Sequence, residues 1–394
     1  MNVLIVVPSY PSVNNPYGGI FIHEQIKAIK RADPHLYIEV VKIEPYVPIF
    51  LSAIIKKYKK YENGQESYLY DGITVNVIKV LSFPRNILMA NKCKRTSKKL
   101  QEYLKCRNKT FDIIHAHGAV HTGFAAVDNA QRNSSISVVT AHGSDIMFYP
   151  NLNKRMNKIS QYIMKNANSI IAASKGLKKS IVEKNDDVEV DVIYTGVDLN
   201  KFSISQSLKT DVQLVKFIYV GNLLYSKGVF DLIKAFEILQ NRDIDCELAL
   251  CGEGKEKTNI IEYCAKNSIK NITIYGAVNN DALPPILSNH DVLVLPSHRE
   301  GLGVVLIEAL AMGKLVIGSN VGGIPEIIQD NYNGFLSKPG DTDNLANTMN
   351  KAISALPSFS PQALRDSIEE CFDIDKNALR IINKYGELVY KSME

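Results

Sequence analysis

No C-x-x-C pair occurs among the six cysteines, Cys93, Cys106, Cys246, Cys251, Cys264 and Cys371. Several sit in apolar runs, such as Cys251 in "LALCG". That usage argues against a metal site and reads as buried thiols in a reducing compartment. No stretch approaches the roughly 18 consecutive apolar residues of a membrane-spanning helix. The opening "MNVLIVVPSYP" lacks a basic start, and Pro8 cuts its apolar run short, so it is not a signal peptide. The expected location is the cytoplasm. Charge of one sign is scarce as well: 46 Lys and Arg against 41 Asp and Glu leave a net charge of +5. That excess hints at anionic partners and is too weak to imply nucleic acid. There is no low-complexity tract, and no G-x-G-x-x-G, which argues against a dinucleotide oxidoreductase.

What is present is a soluble composition, 45% hydrophobic and 22% charged, over 394 residues, long enough for two domains. Short β-branched runs alternate with longer amphipathic segments. The first series of expected strands is Val3–Val7, Ile73–Val80, Asp112–His115, Ser137–Thr140, Ser169–Ala172 and Val188–Ile193. The second is Val215–Val220, Glu247–Leu250, Asn271–Tyr275, Asp291–Leu295 and Leu315–Ile317. Most are apolar nearly throughout, as in parallel sheets covered on both faces. Ile73–Val80 and Val188–Ile193 alternate and belong toward an edge. The expected fold class is α/β, with two doubly wound parallel sheets whose carboxyl edges face a deep cleft. The polar stretch from Thr195 to Asp211 reads as the linker. The expected domains are 1–195, joined by a crossover helix at 374–394, and 196–373.

Three glycine-rich turns carry the chemistry. Gly18-Gly19 follows the first strand and precedes an amphipathic run, so the backbone can approach a ligand beside free helix amides. In "YVGNLLYSKGVFDLIKAF", Lys227 precedes a helix start, where a cation is unhelpful to the helix but suits a bound anion. In "REGLGVVLIEALAMG", Gly301 and Gly303 allow a tight turn and a helix begins near Val304. Its amides and dipole favour a phosphate, by about 0.3–1 kcal/mol when exposed and up to about 2 when partly buried. Glu308, one turn in, leans back toward that end. Beside a phosphate its sensible role is to accept hydrogen bonds from vicinal hydroxyls, as on a ribose. Glu300 suits a sugar in the same way. Helix ends merely decorated with acids would explain neither the glycines nor an acid inside an otherwise apolar helix.

These segments resemble the retaining family 4 glycosyltransferases, which have the GT-B fold of two Rossmann-like domains. "REGLGVVLIEALAMG" is similar to their E-x7-E motif. "GGIFIHEQIKAI", "FDIIHAHG", "TAHGSD", "IYTGVDLNKF", "LCGEGKEK", "YGAV", "VGGIPEII" and "NGFL" follow in the family's order, over nearly the whole chain. The resemblance implies a nucleotide-diphosphate sugar in the C-terminal domain. Glu308 would bind ribose hydroxyls and Glu300 the donor sugar. Gly301, Leu302 and Gly303 would hold sugar and diphosphate, and Lys227 would neutralise the departing diphosphate. Gly252, Glu253, Ala277 and Val278 would line the base. Gly18 and Gly19 would contact the diphosphate, His117 would lie near the reacting sugar, and His142 and Asp145 on the acceptor side. Asn222 stands where the family usually has arginine, which shifts leaving-group stabilisation toward Lys227. No metal or other cofactor is expected; the D-x-D matches at Asp243–Asp245, Asp341–Asp343 and Asp373–Asp375 are of a common kind and lie away from the motif loops. The opening segment also looks like enzymes of bacterial surface polysaccharide and teichuronic-acid assembly.

The segments Glu44–Tyr61 and Asn91–Leu100 are basic and partly apolar. They fit reversible docking on an anionic membrane, hence a peripheral place on the inner face of the plasma membrane and a lipid-linked saccharide acceptor. A core segment followed by a solvated helix face is the plain alternative. Against a transferase stand another GT-B activity, such as a sugar-nucleotide epimerase or a synthase on a soluble acceptor, and a non-catalytic nucleotide-sugar-binding subunit.

Overall fold

The computed structural model describes residues 1–13, 15, 17–46, 66–83, 88–107, 109–185, 188–204 and 214–393. The chain divides into two units, Met1–Tyr194 with Asn377–Glu394, and Thr195–Lys376.

The first unit holds an eight-stranded sheet: β1 (Asn2–Val7), β2 (Tyr37–Tyr46), β3 (Ser67–Tyr70), β4 (Ile73–Leu81), β5 (Ile113–His117), β6 (Ile136–Ala141), β7 (Ser169–Ala172) and β8 (Val190–Val192). Their order is β3-β4-β2-β1-β5-β6-β7-β8, and only β3 runs antiparallel, against β4. The apolar run Val3–Val7 forms the middle of this sheet and is wholly buried, because helices cover both faces. On one side Leu4, Val6, Val41 and Ile114 pack with Leu100 and Ala126. A second cluster joins Val139, Ile170 and Ala172 to Ile163 and Leu177. β8 is the edge strand, and β4 lies one strand in from the other edge. The sequence pattern missed β2, which carries Glu39, Lys42 and Glu44 among its apolar residues. Lys42 and Glu44 pair at 2.9 Å inside the fold.

The second unit contains β9 (Val215–Val220), β10 (Cys246–Cys251), β11 (Ile272–Gly276), β12 (Val292–Leu295), β13 (Leu315–Ser319) and β14 (Gly334–Ser337). All pairs are parallel, in the order β11-β10-β9-β12-β13-β14. Counted from the first strand of the unit this is the doubly wound 3-2-1-4-5-6 arrangement. The chain reverses its direction of growth between β9 and β12. In the first unit it reverses between β1 and β5. At each such point the loops leaving two neighbouring strands diverge to opposite faces of the sheet and leave a crevice at the carboxyl edge.

Candidate functional site

At the reversal point of the second unit, β9 leads into Gly221–Gly228 and β12 into Pro296–Gly303. The two loops are laced together: His298 N–H donates to the Ser226 carbonyl at 3.0 Å. Lys227 ends a short 3-10 turn, Tyr225–Lys227, and is not itself the first residue of the helix. Its Nζ donates to Glu300 Oε2 at 2.8 Å, with the lysine side chain 26% and the glutamate side chain 13% exposed. Glu300 Oε2 also accepts from Ser297 Oγ at 3.2 Å, and Oε1 from the Gly301 N–H at 3.1 Å. The carboxylate expected to hold sugar hydroxyls and the cation expected to hold diphosphate therefore meet. Each is oriented and partly desolvated by the other.

The helix beyond runs from Val304 to Ala311, starting where the glycine turn predicts. Gly303 caps it at φ 90° and, being a glycine, offers its first amides no side-chain cap. Leu306, Ile307, Ala309 and Leu310 are buried and fix its axis against the sheet. Glu308 is half-buried one turn in. The loop after β13 closes over this turn. Gly323 N–H donates to the Gly301 carbonyl at 3.1 Å. A side chain at Gly322, where φ is 56°, would put Cβ 1.8 Å from the Glu300 carbonyl oxygen. Only glycine admits that approach.

The remaining donor-side candidates line the same carboxyl edge. Gly252 and Glu253 follow β10, and Ala277 and Val278 follow β11. Gly252 N–H donates to Gly276 at 2.7 Å, and Leu223 N–H to Glu253 at 2.9 Å. Glu253 is exposed and pairs with Lys257 at 2.5 Å. Asn222 is exposed at the tip of the β9 loop; its carbonyl accepts from the buried Tyr219 hydroxyl at 2.8 Å. Ser297, Gly322 and the pair His298–Asp231, 2.5 Å apart, belong to this site and were not singled out from the sequence. None carries a charge or spacing that marks it before the loops are folded.

At the reversal point of the first unit a cavity of about 380 Å³ opens, bounded by the loops after β1, β5 and β6. Gly19, His142 and Asp145 line it. Gly19, at φ 74°, caps the Ile20–Ala32 helix. His117, the last residue of β5, is fully buried. Its Nδ1 is 3.1 Å from His142 Nε2, the two rings stack at 5.3 Å, and among the described residues its Nε2 has no hydrogen-bond partner. On its other side it stacks on His115 at 4.7 Å. His115 in turn bonds Thr140 Oγ1 at 2.7 Å and the buried Tyr385 hydroxyl at 2.5 Å. Burial pushes the His115 imidazole down to about 3, and desolvation together with His115 and His142 holds His117 well below the usual histidine range. All three rings are neutral donor–acceptor groups near neutrality, since burial lowers His142 as well. Asp145 also has a structural task. Its carboxylate accepts from the Ala119 and Gly143 N–H groups at 2.8 Å each and from His142 N–H at 3.2 Å. It ties two loops together and sets the His142 backbone.

Of the two basic segments, residues 47–61 lie outside the described residues. The other forms part of the Met89–Lys105 helix, where Lys94, Lys98 and Lys99 are exposed and Lys92 turns inward to line the cavity. No described helix is long and apolar enough to cross a membrane. Among the described residues no group of three or more His, Cys, Asp or Glu is placed to hold a metal ion.

Two doubly wound α/β units with glycine-capped helices at their reversal points are the GT-B fold, and the family models that match them make the protein a glycosyltransferase. The family model for Glycosyltransferase Family 4 matches residues 56–201, and that for Glycosyl transferases group 1 matches residues 200–370. Together the two matches span residues 56–370, and over that length the chain is a glycosyltransferase similar to family 4. A protein of Bacillus subtilis named as the teichuronic acid biosynthesis glycosyltransferase TuaC is 26% identical over 404 residues, covering 100% of both chains. The N-acetyl-alpha-D-glucosaminyl L-malate synthase of Bacillus anthracis is 26% identical and covers 81% of this chain and 82% of its own. Among solved structures, sucrose-phosphate synthase from Thermosynechococcus elongatus superposes with a TM-score of 0.80 at 17% identity, covering 99% of this chain and 100% of that one. HepE of Anabaena, in complex with UDP, superposes with a TM-score of 0.72 at 17% identity, covering 98% and 100%.

Proposed function

We propose that the protein moves a sugar, with retention at the anomeric carbon, from a nucleotide-diphosphate sugar to a saccharide or lipid-linked acceptor in the assembly of a bacterial surface polysaccharide. The observation that carries this reading is the Lys227–Glu300 pair at the second unit's reversal point, beside the glycine-capped amino end of the Val304–Ala311 helix. In the proposed cycle the diphosphate rests on the amides following Gly303 and draws Lys227 toward itself. That releases Glu300 to accept hydrogen bonds from the donor sugar. Glu308 holds the ribose, and Gly252, Glu253, Ala277 and Val278 face the base. As the bond to the anomeric carbon breaks, negative charge grows on the leaving diphosphate. Lys227 and the helix amides stabilise it more in the transition state than in the ground state, which is what accelerates the step. No metal is invoked. The first unit takes the acceptor; its hydroxyl attacks the face the diphosphate leaves and passes its proton to the departing phosphate oxygen.

The relative named for teichuronic acid biosynthesis supports a polysaccharide acceptor, and a capsular polysaccharide enzyme of Staphylococcus aureus, CapM, is a further relative at 26% identity. Docking on an anionic membrane is part of the proposal; flotation with anionic vesicles at low salt tests it, and no binding removes it. For the transferase itself, a thermal-shift screen with UDP- and GDP-sugars comes first, since a ligand at about 100-fold its Kd stabilises by about 2.7 kcal/mol. A transfer assay with anomeric analysis of the product follows. An inverted product would end the retention claim, and a protein that no nucleotide sugar stabilises would end the transferase reading.

A further inference from the structure

The cavity at the first unit's reversal point has mostly apolar walls, among them Phe21, Met89, Val120 and Tyr149. Its volume of about 380 Å³ lies in the range of small-molecule sites, roughly 300–1,000 Å³. One of its lining residues is a lysine. Lys92 stands in the first turn of the Met89–Lys105 helix, and among the described residues no ion pair or side-chain hydrogen bond satisfies its ammonium. One turn along, Nε and Nη2 of Arg95 are buried and also lack hydrogen-bond partners. Among the described residues neither cation has a carboxylate partner, and Arg95 meets only the face of Phe83, 5.7 Å away; drawing such groups in from water is costly to the fold, and they are normally paired. Burial, with a smaller contribution from Arg95, pushes the Lys92 ammonium down to about 8. His121, in the same wall, is pushed down to about 3 by burial and by Lys92, and so adds a neutral polar group rather than a counter-charge.

Asp145, the one carboxylate of the lining, is occupied by backbone amides, so an unpaired cation facing this open, mostly apolar cavity is matched by an anion brought in from outside. We propose that this cavity receives the acceptor, and that the acceptor carries a carboxylate or phosphate group bound by Lys92, with Arg95 reinforcing the positive potential. This rests on the reading that the first unit takes the acceptor. The apolar walls contact the body of the ligand, and the single charge selects it. Neutral sugars of the same size leave the lysine unpaired and bind less well.

The test is titration calorimetry on the full chain with three probes: glucuronate for a carboxylate, glucose 6-phosphate for a phosphate, and glucose as the neutral control. The expected result is that one of the two anions binds tighter than glucose by about tenfold or more, the worth of one charge-assisted hydrogen bond; which anion it is identifies the acceptor's charged group. Lys92→Met, which keeps the length and apolar character of the side chain, abolishes that preference, and Lys92→Arg retains it. Nucleotide-sugar affinity is measured in parallel. Equal binding of all three probes, no binding of either anion, or a preference that survives Lys92→Met overturns the proposal. So does a Lys92→Met protein that loses affinity for the nucleotide sugar, because the lysine then serves the donor. A wild-type protein that binds an anion selectively but no nucleotide sugar leaves the anion site standing and defeats the transferase reading alone.

Discussion

Lys227 Nζ lies 2.8 Å from Glu300 Oε2, and this contact joins the loops that leave β9 and β12 on either side of the second unit's reversal point. Each residue is thereby held where a donor's diphosphate and sugar would meet. Removing the cation by Lys227→Ala is expected to lower kcat by about 10²–10³, the loss seen for one donor to a developing oxyanion. Steady-state kinetics at saturating donor measure it. A kcat within about twofold of the parent would remove Lys227 from leaving-group stabilisation.

Gly322 provides a test of how tightly the loops are wedged. Gly322→Ala forces a left-handed backbone on alanine, costing about 1–2 kcal/mol, and drives Cβ into the Glu300 carbonyl at 1.8 Å. Gly340→Ala, at φ 73° with nothing within 4 Å, carries only the backbone cost. Urea unfolding is expected to show a larger loss for Gly322→Ala, together with a raised KM for the donor. Equal losses for the two variants would mean that the loop after β13 yields freely.

The buried histidines make the fold sensitive to acid at a pH where carboxylates are still ionised. His115 has a folded value of about 3, and the equally buried His117 is also depressed. Below the unfolded histidine value of about 6.5 the unfolded chain takes up protons that the folded chain refuses. The stability is therefore complete above that pH and falls as pH drops from it toward the folded values. At pH 5.5 each such histidine costs about 1.4 kcal/mol relative to pH 7.5. Denaturant unfolding at the two pH values is the measurement, and unchanged stability would show that these rings are hydrated in the folded protein.

Tyr385→Phe deletes the hydroxyl that meets His115 Nδ1 at 2.5 Å and leaves that buried nitrogen without its partner. The expected loss of stability is about 1–3 kcal/mol. Because His115 stacks on His117, transfer is expected to slow as well. A variant as stable and as fast as the parent would show that the tyrosine only fills space.

The apolar runs Ser169–Ala172 and Val215–Val220 form strands with the bounds their composition suggests, because a strand covered on both faces leaves its mark on every residue. The strand Tyr37–Tyr46 left no such mark, since its Lys42–Glu44 pair interrupts the pattern and is satisfied only within the fold. The four-residue strands Ser67–Tyr70 and Gly334–Ser337 are too short for periodicity to register. Lys92 sits in a basic stretch whose other lysines are solvated, and nothing along the chain distinguishes the one that turns inward. Asp145 lines the cavity at the first unit's reversal point, and only the folded loops show that its oxygens are taken by backbone amides.

Read alone, the order of residues determined the alternation of apolar runs and helices, the glycines that cap the helices at Ile20 and Val304, and the kinds of charged group placed beside them. These are local matters, governed by backbone sterics and by burial over a few residues. Only the tertiary structure decided that Lys227 meets Glu300 across 73 positions and that His115 meets Tyr385 across 270. The strand order sets which loops become neighbours, and desolvation sets which charges must find one another; both are properties of three-dimensional packing.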